Sequence, residues 1–509
     1  MRLAELQAAF GGQIEGDAER TVSGVSLNSS TLEPGEVFAA LPGTQIHGMR
    51  FAADAVDRGA AAVLMPHEHD GRAASLQPAV PEGTSIWRHP QARRTAGQVA
   101  ARLAGEPSRE LTVCGITGTN GKTTTAHILG QLLDGAGLAP AVLGTAGNRI
   151  AGEELAPASH TTPDAPALQR LLAKHVAQGG RSVAAEVSSH ALMQERHAGL
   201  DLDVAVFTNL SPEHLDYHGS MEGYAAAKAR LFHALHPGSH AVVHLDDPAA
   251  EIMTAAARGA GARVWTYSAR QDADLSATSL RTDPHGMRFV IEGMGICSCD
   301  LLLPLRGRFN VENALAAALA ARLMGAGPNV VSEGLASTFS IPGRLEPVPN
   351  DRGFSVLVDY AHSADALGRV LVELRAGLED SGSGRLICVF GCGGDRDPSK
   401  RGPMGAVAAA HSDVVIVTND NPRGEAPEAI AAAVLEGARA QDSGRPCEVL
   451  AELDRRKAIA SALGCARPGD VVLLAGKGHE TGQRVGDTLV PFDDRRVAQE
   501  VLTLSLIHI

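Results

Sequence analysis

A glycine-rich loop ending in Lys-Thr strongly limits how the segment around it can fold. Residues 115–125 read G-I-T-G-T-N-G-K-T-T-T, and the apolar stretch 111–116 leads into them. A helical pattern follows, with Ile128 and Leu132 on one face. In a strand–loop–helix unit of this kind, backbone N–H groups and the helix N-terminus face a bound phosphate. We therefore predict a phosphate-binding loop.

Two side chains of this loop have predicted roles in binding ATP. Lys122 would reach the β- and γ-phosphates, and the hydroxyl of Thr123 would hold Mg²⁺. The loop is a variant of the standard G-x-x-x-x-G-K-[ST] pattern, because Ile116 stands where the first glycine is expected. The order of strand, loop, Lys-Thr and helix still predicts ATP binding.

Polar clusters follow two further strand-like runs. Glu186 and its neighbours come directly after 182–185, and the segment 208–218 comes directly after 204–207. In doubly wound sheets, ligands bind outside the carboxyl ends of the strands. Glu186 and His214 are therefore predicted to bind a metal ion near the nucleotide phosphates.

Apolar strand-like runs alternate with helical stretches along most of the chain, which predicts an α/β fold with parallel sheets covered by helices. We divide the chain into three units, 1–109, 110–341 and 342–509, with a linker at 105–108. The predicted strands are 36–41, 60–65, 111–116, 182–186, 204–207, 241–244, 355–359, 385–390, 413–417 and 470–474, and a helix is predicted at 426–440.

Composition excludes several classes of function. Asp and Glu total 58 against 45 Lys and Arg, and this acidity argues against a nucleic-acid binder. No apolar run reaches the roughly 18 residues that span a bilayer, and the N-terminus reads as a short amphipathic helix rather than a signal peptide. The seven cysteines include no C-x-x-C pair, which favours free thiols in a reducing cytoplasm over a zinc site.

Eight motifs stand in a fixed order across nearly the whole chain. They are T-G-T-N-G-K-T-T-T (117–125), E-V-S-S-H-A-L (186–192), N-L-S-P-E-H-L-D-Y-H-G (209–219), R-F-N-V-x-N-A (308–314), P-G-R-L-E (342–346), D-Y-A-H-S-A-D-A-L (359–367), D-N-P-R (420–423) and G-K-G-H-E (476–480). Together they resemble the Mur ligase family, and most closely its diaminopimelate-adding members.

The resemblance implies three domains and one reaction. A UDP-muramyl substrate-binding domain (1–109) would precede a central ATP-binding domain (110–341) and a Rossmann-like, amino-acid-binding domain (342–509). The γ-phosphate of ATP would activate the D-Glu carboxylate of UDP-N-acetylmuramoyl-L-Ala-D-Glu as an acyl phosphate. The amino group of meso-2,6-diaminopimelate would then attack, in peptidoglycan precursor synthesis. A cytoplasmic monomer without nucleic-acid or membrane partners is expected.

The resemblance also assigns the nucleotide and metal residues. Those implied to contact ATP are Gly118, Thr119, Asn120, Gly121, Lys122, Thr123, Thr124, Asn313, Arg344 and Asp359. Two Mg²⁺ ions are expected, held by Thr123, Glu186, His214 and Lys228, the last carrying a carbamate derived from CO₂. Lys122, Glu186, His214 and Lys228 are the implied catalytic residues. Spacing alone would make Lys228 a solvated helix lysine.

The same resemblance implies which residues form the substrate pockets. The UDP-muramyl dipeptide would contact Leu27, Ser29, His160, Thr161, Thr162, Ser188, Gln194 and Arg196. The amino acid would contact Arg396, Asp420, Asn421, Pro422, Arg423, Gly476 and Glu480. Arg423 can hold the distal carboxylate of diaminopimelate as a bidentate pair, and Glu480 is placed for the ammonium group. Relatives that add L-lysine lack this arginine.

Three positions depart from the family pattern. The usual D-S-R motif is replaced by N-S-S at 28–30, His160 stands where some relatives have Asn, and Glu213 replaces the Asp before His214. Three alternatives remain open: an L-lysine-adding enzyme, a folylpolyglutamate-type ligase and a phosphate-loop ATPase acting as a regulatory module. No role is predicted for the apolar tail 504–509.

Overall fold

The computed structural model describes residues 1–43, 46–66, 80–155, 160–283, 285–338, 340–382, 384–441 and 444–507. It is built on three large sheets of five, eleven and six strands, with a separate two-stranded hairpin, Gly482–Val485 and Thr488–Pro491. Helices pack on the sheets, so the predicted α/β fold is confirmed. No helix in the described ranges is long and apolar enough to cross a membrane.

The first sheet is parallel except for one edge strand. Its spatial order is Gln13–Glu15, Ile86–Arg88, Ala62–Met65, Glu36–Ala39 and Gly24–Ser26, of which the first pairs antiparallel. The helices of this region are Leu3–Phe10, Ala52–Asp57 and Ala92–Leu103, with short 3₁₀ turns at Ser29–Thr31 and Gly48–Phe51. The first of these confirms the helix predicted at the N-terminus.

The central sheet combines a parallel core with antiparallel edges. Its order is Ile296–Leu303, Gly286–Gly293, Leu275–Asp283, Arg263–Ser268, His240–His244, Val204–Phe207, Thr112–Thr117, Ser182–Glu186, Pro140–Gly144, Gly147–Ile150 and Glu153–Glu154. The strand Thr112–Thr117 lies between Ser182–Glu186 and Val204–Phe207 and is parallel to both. The phosphate loop and the two polar clusters therefore leave the same edge of the sheet.

The central helices cover both faces of this sheet. They are Lys122–Gly135, Ala165–Ala177, Ser189–Met193, Leu215–His218, Met221–His233, Ala250–Gly259, Arg308–Leu323 and Pro328–Ala336. The helix Arg308–Leu323 packs against Lys122–Gly135, and its alanines from Ala314 to Ala321 are fully buried. Because alanine adds little volume, the two backbones approach closely, which brings Asn313 next to the phosphate loop.

The third sheet repeats the parallel arrangement. Its order is Glu346–Pro347, Ser355–Asp359, Val471–Ala475, Leu386–Phe390, Val414–Val417 and Glu448–Ala451, of which only the first pairs antiparallel. Its helices are Ala364–Ser381, Arg401–His411, Pro427–Ala440, Arg455–Cys465 and Asp494–Ile507, with a 3₁₀ turn at Pro398–Lys400. The segments predicted to bind the amino acid follow the carboxyl ends of these strands.

The predicted strands agree with the observed ones to within one or two residues at most ends. The segment predicted as a linker, 105–108, runs into a 3₁₀ turn, Pro107–Arg109, in which Ser108 is buried. The Ser108 hydroxyl accepts a hydrogen bond from the Asp201 N–H at 3.1 Å, which attaches this segment to the central domain. Five described cysteines are free thiols. The side chains of Cys297 and Cys299, and those of residues 504–509, are outside the part of the chain that the structure describes.

A buried ion pair joins two strands of the third sheet. Arg455 and Asp494 are fully buried and form two hydrogen bonds, of 2.8 and 2.6 Å. Arg455 also donates to the carbonyls of Asn419 and Ala475, which follow strand Val414–Val417 and end strand Val471–Ala475. This pair therefore sets the spacing of the loops that carry residues 420–423 and 476–480.

Asp494→Asn should lower the free energy of unfolding by about 3–5 kcal/mol, since it leaves the buried charge of Arg455 without its counter-ion. Urea unfolding of the purified protein measures this change. Glu500→Gln is the matched control, because Glu500 pairs with Arg456 at the surface, where such a pair contributes at most about 1 kcal/mol. Equal losses in the two variants would contradict the assignment.

Candidate active site

The phosphate loop has no room for side chains at two of its glycines. A Cβ on Gly118 would lie 1.8 Å from the hydroxyl oxygen of Thr208, and one on Gly121 would lie 2.2 Å from Oδ1 of Asn313. Gly121 also has φ +86°, a left-handed conformation that glycine adopts without strain. It precedes helix Lys122–Gly135, so the free N–H groups of the first turn open toward the loop.

Lys122 folds back over its own loop. Its ammonium donates to the carbonyls of Gly118 and Thr119 at 2.9 and 2.7 Å. Burial lowers the pKa of Lys122, and the carboxylates of Glu186 and Glu213 oppose that shift. The side chain is thus held at the loop, where the sequence predicts the β- and γ-phosphates.

Glu186 is a buried carboxylate at the centre of the site, 1% exposed. It accepts hydrogen bonds from the Thr123 hydroxyl at 3.0 Å and from the N–H and hydroxyl of Thr145 at 2.8 and 3.1 Å. Gly144 leaves space for it, since a Cβ there would lie 2.0 Å from Oε1. Among the described side chains, no Lys, Arg or His lies within 4.0 Å of this carboxylate.

The donor set around Glu186 fits Mg²⁺. A buried carboxylate without a cationic partner and an adjacent threonine hydroxyl are hard oxygen ligands, which Mg²⁺ prefers together with phosphate oxygens. In the described part of the chain, no group of three His, Cys, Asp or Glu could hold a metal by itself.

Lys228 is 1% exposed, so the solvated lysine expected from spacing alone is wrong. It lies on helix Met221–His233, whose inner face packs on the sheet. Its Nζ donates to the carbonyl of Gly118 at 2.7 Å and lies 4.2 Å from the centre of the Tyr224 ring. Burial, reinforced by the charge of Lys122, holds the pKa of Lys228 well below its usual range.

His214 lies beside a second carboxylate rather than beside Glu186. Its Nε2 is 4.0 Å from Glu213, which is also 3.7 Å from Nε2 of His362 in the third domain. Burial would raise the pKa of Glu213, but His362 and His214 outweigh this effect and lower it. His214 has φ +56° and its side chain is 44% exposed. Glu186 and His214 both line the cleft, and the carboxylate next to His214 is that of Glu213.

The third domain contributes Arg344 to the phosphate loop. Its guanidinium donates to the Thr123 hydroxyl at 3.0 Å and lies 4.9 Å from the centre of the Tyr360 ring. The Nε of Arg344 is buried and has no hydrogen-bond partner among the described residues. A buried guanidinium N–H without a partner, beside a phosphate loop, is suited to an anionic ligand.

Asp359 orders the start of the third domain, and Asp365 connects that domain to the central one. The Asp359 carboxylate accepts from the N–H groups of Leu345 and Ala361, both at 2.8 Å, and burial raises its pKa. Asp365 accepts from the Asn120 amide at 3.0 Å and the Ser211 hydroxyl at 2.7 Å. Asp365 therefore connects a helix of the third domain directly to the phosphate loop.

A polar cluster behind Glu186 gathers five of the residues predicted to bind the sugar nucleotide. Arg196 donates to the Thr162 carbonyl at 2.7 Å and to the side chain of Gln194 at 2.7 and 3.1 Å. Thr162 donates to the Glu186 carbonyl at 2.8 Å and accepts from the Ser188 N–H, and Thr161 contacts Thr145.

Leu27 and Ser29 are not brought into this cluster. Leu27 packs against the core of the first domain, and the buried Ser29 hydrogen-bonds to Asp54. Arg170 of the central domain donates to the carbonyl of Val25, the nearest described link from this region to the central domain. His160 lines the central cleft instead.

The amino-acid pocket predicted from the sequence forms around a buried lysine. Lys477 is fully buried, with its Nζ 3.0 Å from Glu480, 3.7 Å from Asp420 and 3.4 Å from the amide oxygen of Asn421. Burial raises the pKa of Asp420, whereas Lys477 and Asn421 together lower that of Glu480 against its own burial. Glu480 also accepts from the Asn421 amide at 3.0 Å.

The backbone of Arg423 is left-handed, with φ +53°, which is uncommon for a residue other than glycine. Its guanidinium donates to the carbonyl of Gly394 at 2.9 Å and more weakly to that of Asn421 at 3.4 Å. A Cβ on Gly393 would lie 2.9 Å from this guanidinium, so a larger residue there would require Arg423 to shift. Burial, with the nearby Arg396, lowers the pKa of Arg423.

One continuous cleft of about 1990 Å³ joins these parts. The predicted residues that line it are Thr119, Asn120, Gly121, Lys122, Thr123, Thr124, His160, Thr161, Glu186, Ser188, Gln194, Arg196, His214, Asn313, Arg344, Asp359, Arg396, Asp420, Asn421, Arg423, Gly476 and Glu480. Of the predicted residues, Leu27, Ser29, Gly118, Thr162, Lys228 and Pro422 do not line it.

Several residues of the site were not singled out from the sequence. Lys477, His362 and Asp365 lie inside the quoted motifs, and their motif positions are the sequence signal that points to them. His127 and His479 also line the cleft, and burial lowers the pKa of each to about 4. They are thus uncharged imidazoles near neutral pH.

Models of three family domains match the chain. The segment 21–93 matches "Mur ligase family, catalytic domain", 116–321 matches "Mur ligase middle domain", and 343–478 matches "Mur ligase, glutamate ligase domain". Together, the three matched segments contain most strands of the three large sheets.

Full-length relatives agree with the domain matches. A Streptomyces coelicolor protein named UDP-N-acetylmuramoyl-L-alanyl-D-glutamate--2,6-diaminopimelate ligase is 42% identical, over 98% of this chain and 96% of its own. A solved structure of a ligase with that name is 35% identical over 99% of both chains, with a TM-score of 0.68. A Mycobacterium tuberculosis folylpolyglutamate synthase shares the fold alone, at 21% identity, TM-score 0.62, and coverage of 82% of this chain and 95% of its own. The chain belongs to the Mur ligase family.

Proposed function

We propose that the chain is an ATP-dependent amide ligase that adds meso-2,6-diaminopimelate to the D-Glu carboxylate of UDP-N-acetylmuramoyl-L-Ala-D-Glu. The observation that carries this proposal is the single cleft joining the phosphate loop to the pocket of Asp420, Arg423 and Glu480. A ligase of this type must bring a phosphate donor, a carboxylate and an amine together, and the cleft places a site suited to each along one cavity. The names of the full-length relatives support the same substrates.

Charge repulsion is the main obstacle to the first step. The γ-phosphate and the D-Glu carboxylate are both anionic, so they approach only where fixed cations offset their repulsion. Lys122 and Arg344 would supply that charge from two domains, and the free N–H groups after Gly121 would add to it. Phosphorylation converts the carboxylate, a poor electrophile, into an acyl phosphate with phosphate as leaving group.

The second step forms the amide. The amine attacks the acyl carbon, the C–O bond to phosphate breaks, and the amine loses a proton. We propose that Asp420 and Glu480 hold the ammonium group of diaminopimelate at the end of the molecule that does not react. Arg423 would hold the carboxylate at that same end. Arg396, Asn421, Pro422 and Gly476 complete this pocket.

We propose that Thr123 and Glu186 hold one Mg²⁺ and that His214 contributes to a second. Bound Mg²⁺ would neutralise charge on the phosphates and on the carboxylate that approaches them. The imidazole of His214 lies 4.0 Å from the carboxylate of Glu213. Asn313 and Asp359 are proposed to contact the nucleoside, and Thr119, Asn120 and Thr124 the phosphates.

We propose that Lys228 carries a carbamate. The ammonium form first loses one proton, and the neutral amine then adds CO₂, forming an N–C bond and releasing a second proton, so a cation becomes an anion. The burial of Lys228 supports this, because an apolar, enclosed position disfavours the ammonium form. The negative charge would then stabilise a bound Mg²⁺.

We retain the division into domains 1–109, 110–341 and 342–509 as a proposal, with the first binding the UDP-sugar through Leu27 and Ser29. Neither residue lines the cleft. The UDP-sugar part of the substrate would therefore contact the first domain either outside this cavity or after the domain has moved. A cytoplasmic monomer is proposed as the working form.

Phosphate release tests the function directly. With Mg-ATP and UDP-N-acetylmuramoyl-L-Ala-D-Glu, we expect release when meso-diaminopimelate is added and little with L-lysine in its place, because the arginines of the pocket would repel the lysine ammonium. Turnover with lysine alone would favour the lysine-adding alternative. Release without any carboxylate substrate would favour a regulatory ATPase.

Lys228→Ala should reduce kcat by about a hundredfold, the scale on which loss of one preorganised electrostatic group slows an enzyme. Acetate should partly restore turnover by filling the vacated space with a carboxylate. The control is Lys174→Ala, which removes an exposed helix lysine and should leave kcat unchanged. Full activity of the Lys228 variant without acetate would refute the carbamate.

Arg423→Ala should raise the KM for meso-diaminopimelate by roughly a hundredfold, since removing one partner of a charge pair at a binding site costs several kcal/mol. The KM for ATP should change much less. Steady-state kinetics against each substrate measures both values, with the exposed Arg439→Ala as control. An unchanged KM for diaminopimelate would remove Arg423 from the pocket.

A further inference from the structure

Three arginines line the amino-acid end of the cleft without a carboxylate partner. They are Arg396, Arg423 and Arg484. In the part of the chain that the structure describes, none of their guanidinium groups lies within 4.0 Å of an Asp or Glu oxygen. Other arginines close to this pocket, such as Arg401 and Arg495, do form ion pairs.

The nearby carboxylates also face a buried cation of the chain itself. Asp420 and Glu480 both face the fully buried Lys477, at 3.7 and 3.0 Å. Asp420 and Glu480 therefore lie between the buried Lys477 and a cleft lined by these three arginines. The excess positive charge is suited to a ligand that brings its own carboxylate.

Arg484 is held next to Arg423 by the backbone. The Arg423 N–H donates to the Arg484 carbonyl at 3.1 Å, and the Gly486 N–H donates to the Arg423 carbonyl at 2.8 Å. The Arg484 N–H donates to Oδ1 of Asn421 at 2.9 Å, and the Gln483 amide donates to the Asp420 carbonyl at 2.7 Å. The hairpin strand Gly482–Val485 is thus attached to residues 420–423 along its length.

These hydrogen bonds also explain how Arg423 keeps its left-handed backbone. A non-glycine residue at φ +53° is strained and persists only where its surroundings hold it. The hairpin supplies a partner for both its N–H and its carbonyl. The same contacts that orient Arg423 therefore fix the position of Arg484.

We propose that Arg484 is a further specificity-determining residue, whose guanidinium binds the distal carboxylate of the amino-acid substrate together with Arg423. This inference rests on the proposed function. Arg423 already donates through one of its terminal nitrogens to the carbonyls of Gly394 and Asn421. A carboxylate has about four lone-pair sites, so a second guanidinium can satisfy the oxygens that Arg423 leaves free.

The same residue would act against competing amino acids. A substrate with an ammonium group but no carboxylate at this end would face Arg396, Arg423 and Arg484 without a counter-charge. Discrimination of this kind combines attraction for one ligand with repulsion of the other. Arg484 is exposed at the rim, so its side chain can be changed without removing a buried group.

The test compares Arg484→Gln with Arg484→Lys and with the control Arg496→Gln, which removes an exposed arginine of the same domain. KM and kcat are measured for meso-diaminopimelate and L-lysine, and KM for ATP. We expect Arg484→Gln to raise the KM for diaminopimelate about tenfold, the scale of one charge-assisted hydrogen bond at a partly exposed site. The kcat and the KM for ATP should stay within about twofold, and Arg484→Lys should give an intermediate KM.

The outcomes separate this inference from the proposed function. If the wild type turns over diaminopimelate and Arg484→Gln has an unchanged KM, the inference is overturned and the function stands. The inference is also overturned if Arg484→Gln and Arg496→Gln raise that KM equally, or if the KM for ATP rises as much. A wild type that turns over neither amino acid overturns the proposed function, and this inference with it.

Discussion

The buried carboxylate of Glu186 is the interaction on which the rest of the site depends. It accepts hydrogen bonds from Thr123, at the start of the phosphate-loop helix, and from Thr145, at the end of a neighbouring strand. Thr123 in turn accepts from Arg344 of the third domain. One negative group, which has no cationic side-chain partner among the residues that the structure describes, thus connects three segments of chain. Burying such a charge is costly unless a cation compensates it, so this arrangement is best suited to a bound metal–nucleotide complex.

The distribution of charge along the cleft follows the needs of the proposed reaction. The phosphate end holds Lys122 and Arg344, whereas the amino-acid end holds an excess of arginines over free carboxylates. Lys228 lies between the sheet and the phosphate loop, in a position where its ammonium form is disfavoured. Cations are therefore exposed to the cleft at its two ends, where anionic groups of the substrates would lie. The carbonyl of Gly118, which accepts from both Lys122 and Lys228, connects the two lysines.

Much of the fold and part of the site could be predicted from local patterns. Strands such as Ser182–Glu186 and Val204–Phe207 were predicted to the residue, because short apolar runs bounded by polar residues specify buried parallel strands. The burial of Lys228 could not be predicted, since its neighbours Ala227 and Ala229 fit either face of a helix. The burial of Ser108 in the linker segment 105–108 could not be predicted for a related reason: glycine and proline indicate a turn, but not whether the turn is packed against another segment. Ser29 matched a family position, yet its hydroxyl contacts Asp54 instead of the cleft.

The sequence by itself determined the phosphate loop, the alternation of strands and helices and the order of the motifs, because each depends on residues close together in the chain. Only the tertiary structure decided which of these segments meet. Arg344 lies 221 residues from Thr123 and Asp365 lies 245 residues from Asn120, yet both pairs are hydrogen-bonded. The excess of arginines beside Arg423 likewise arises where the hairpin at 482–491 packs against the loop at 420–423. Such contacts depend on how two sheets face each other, and no local periodicity records that arrangement.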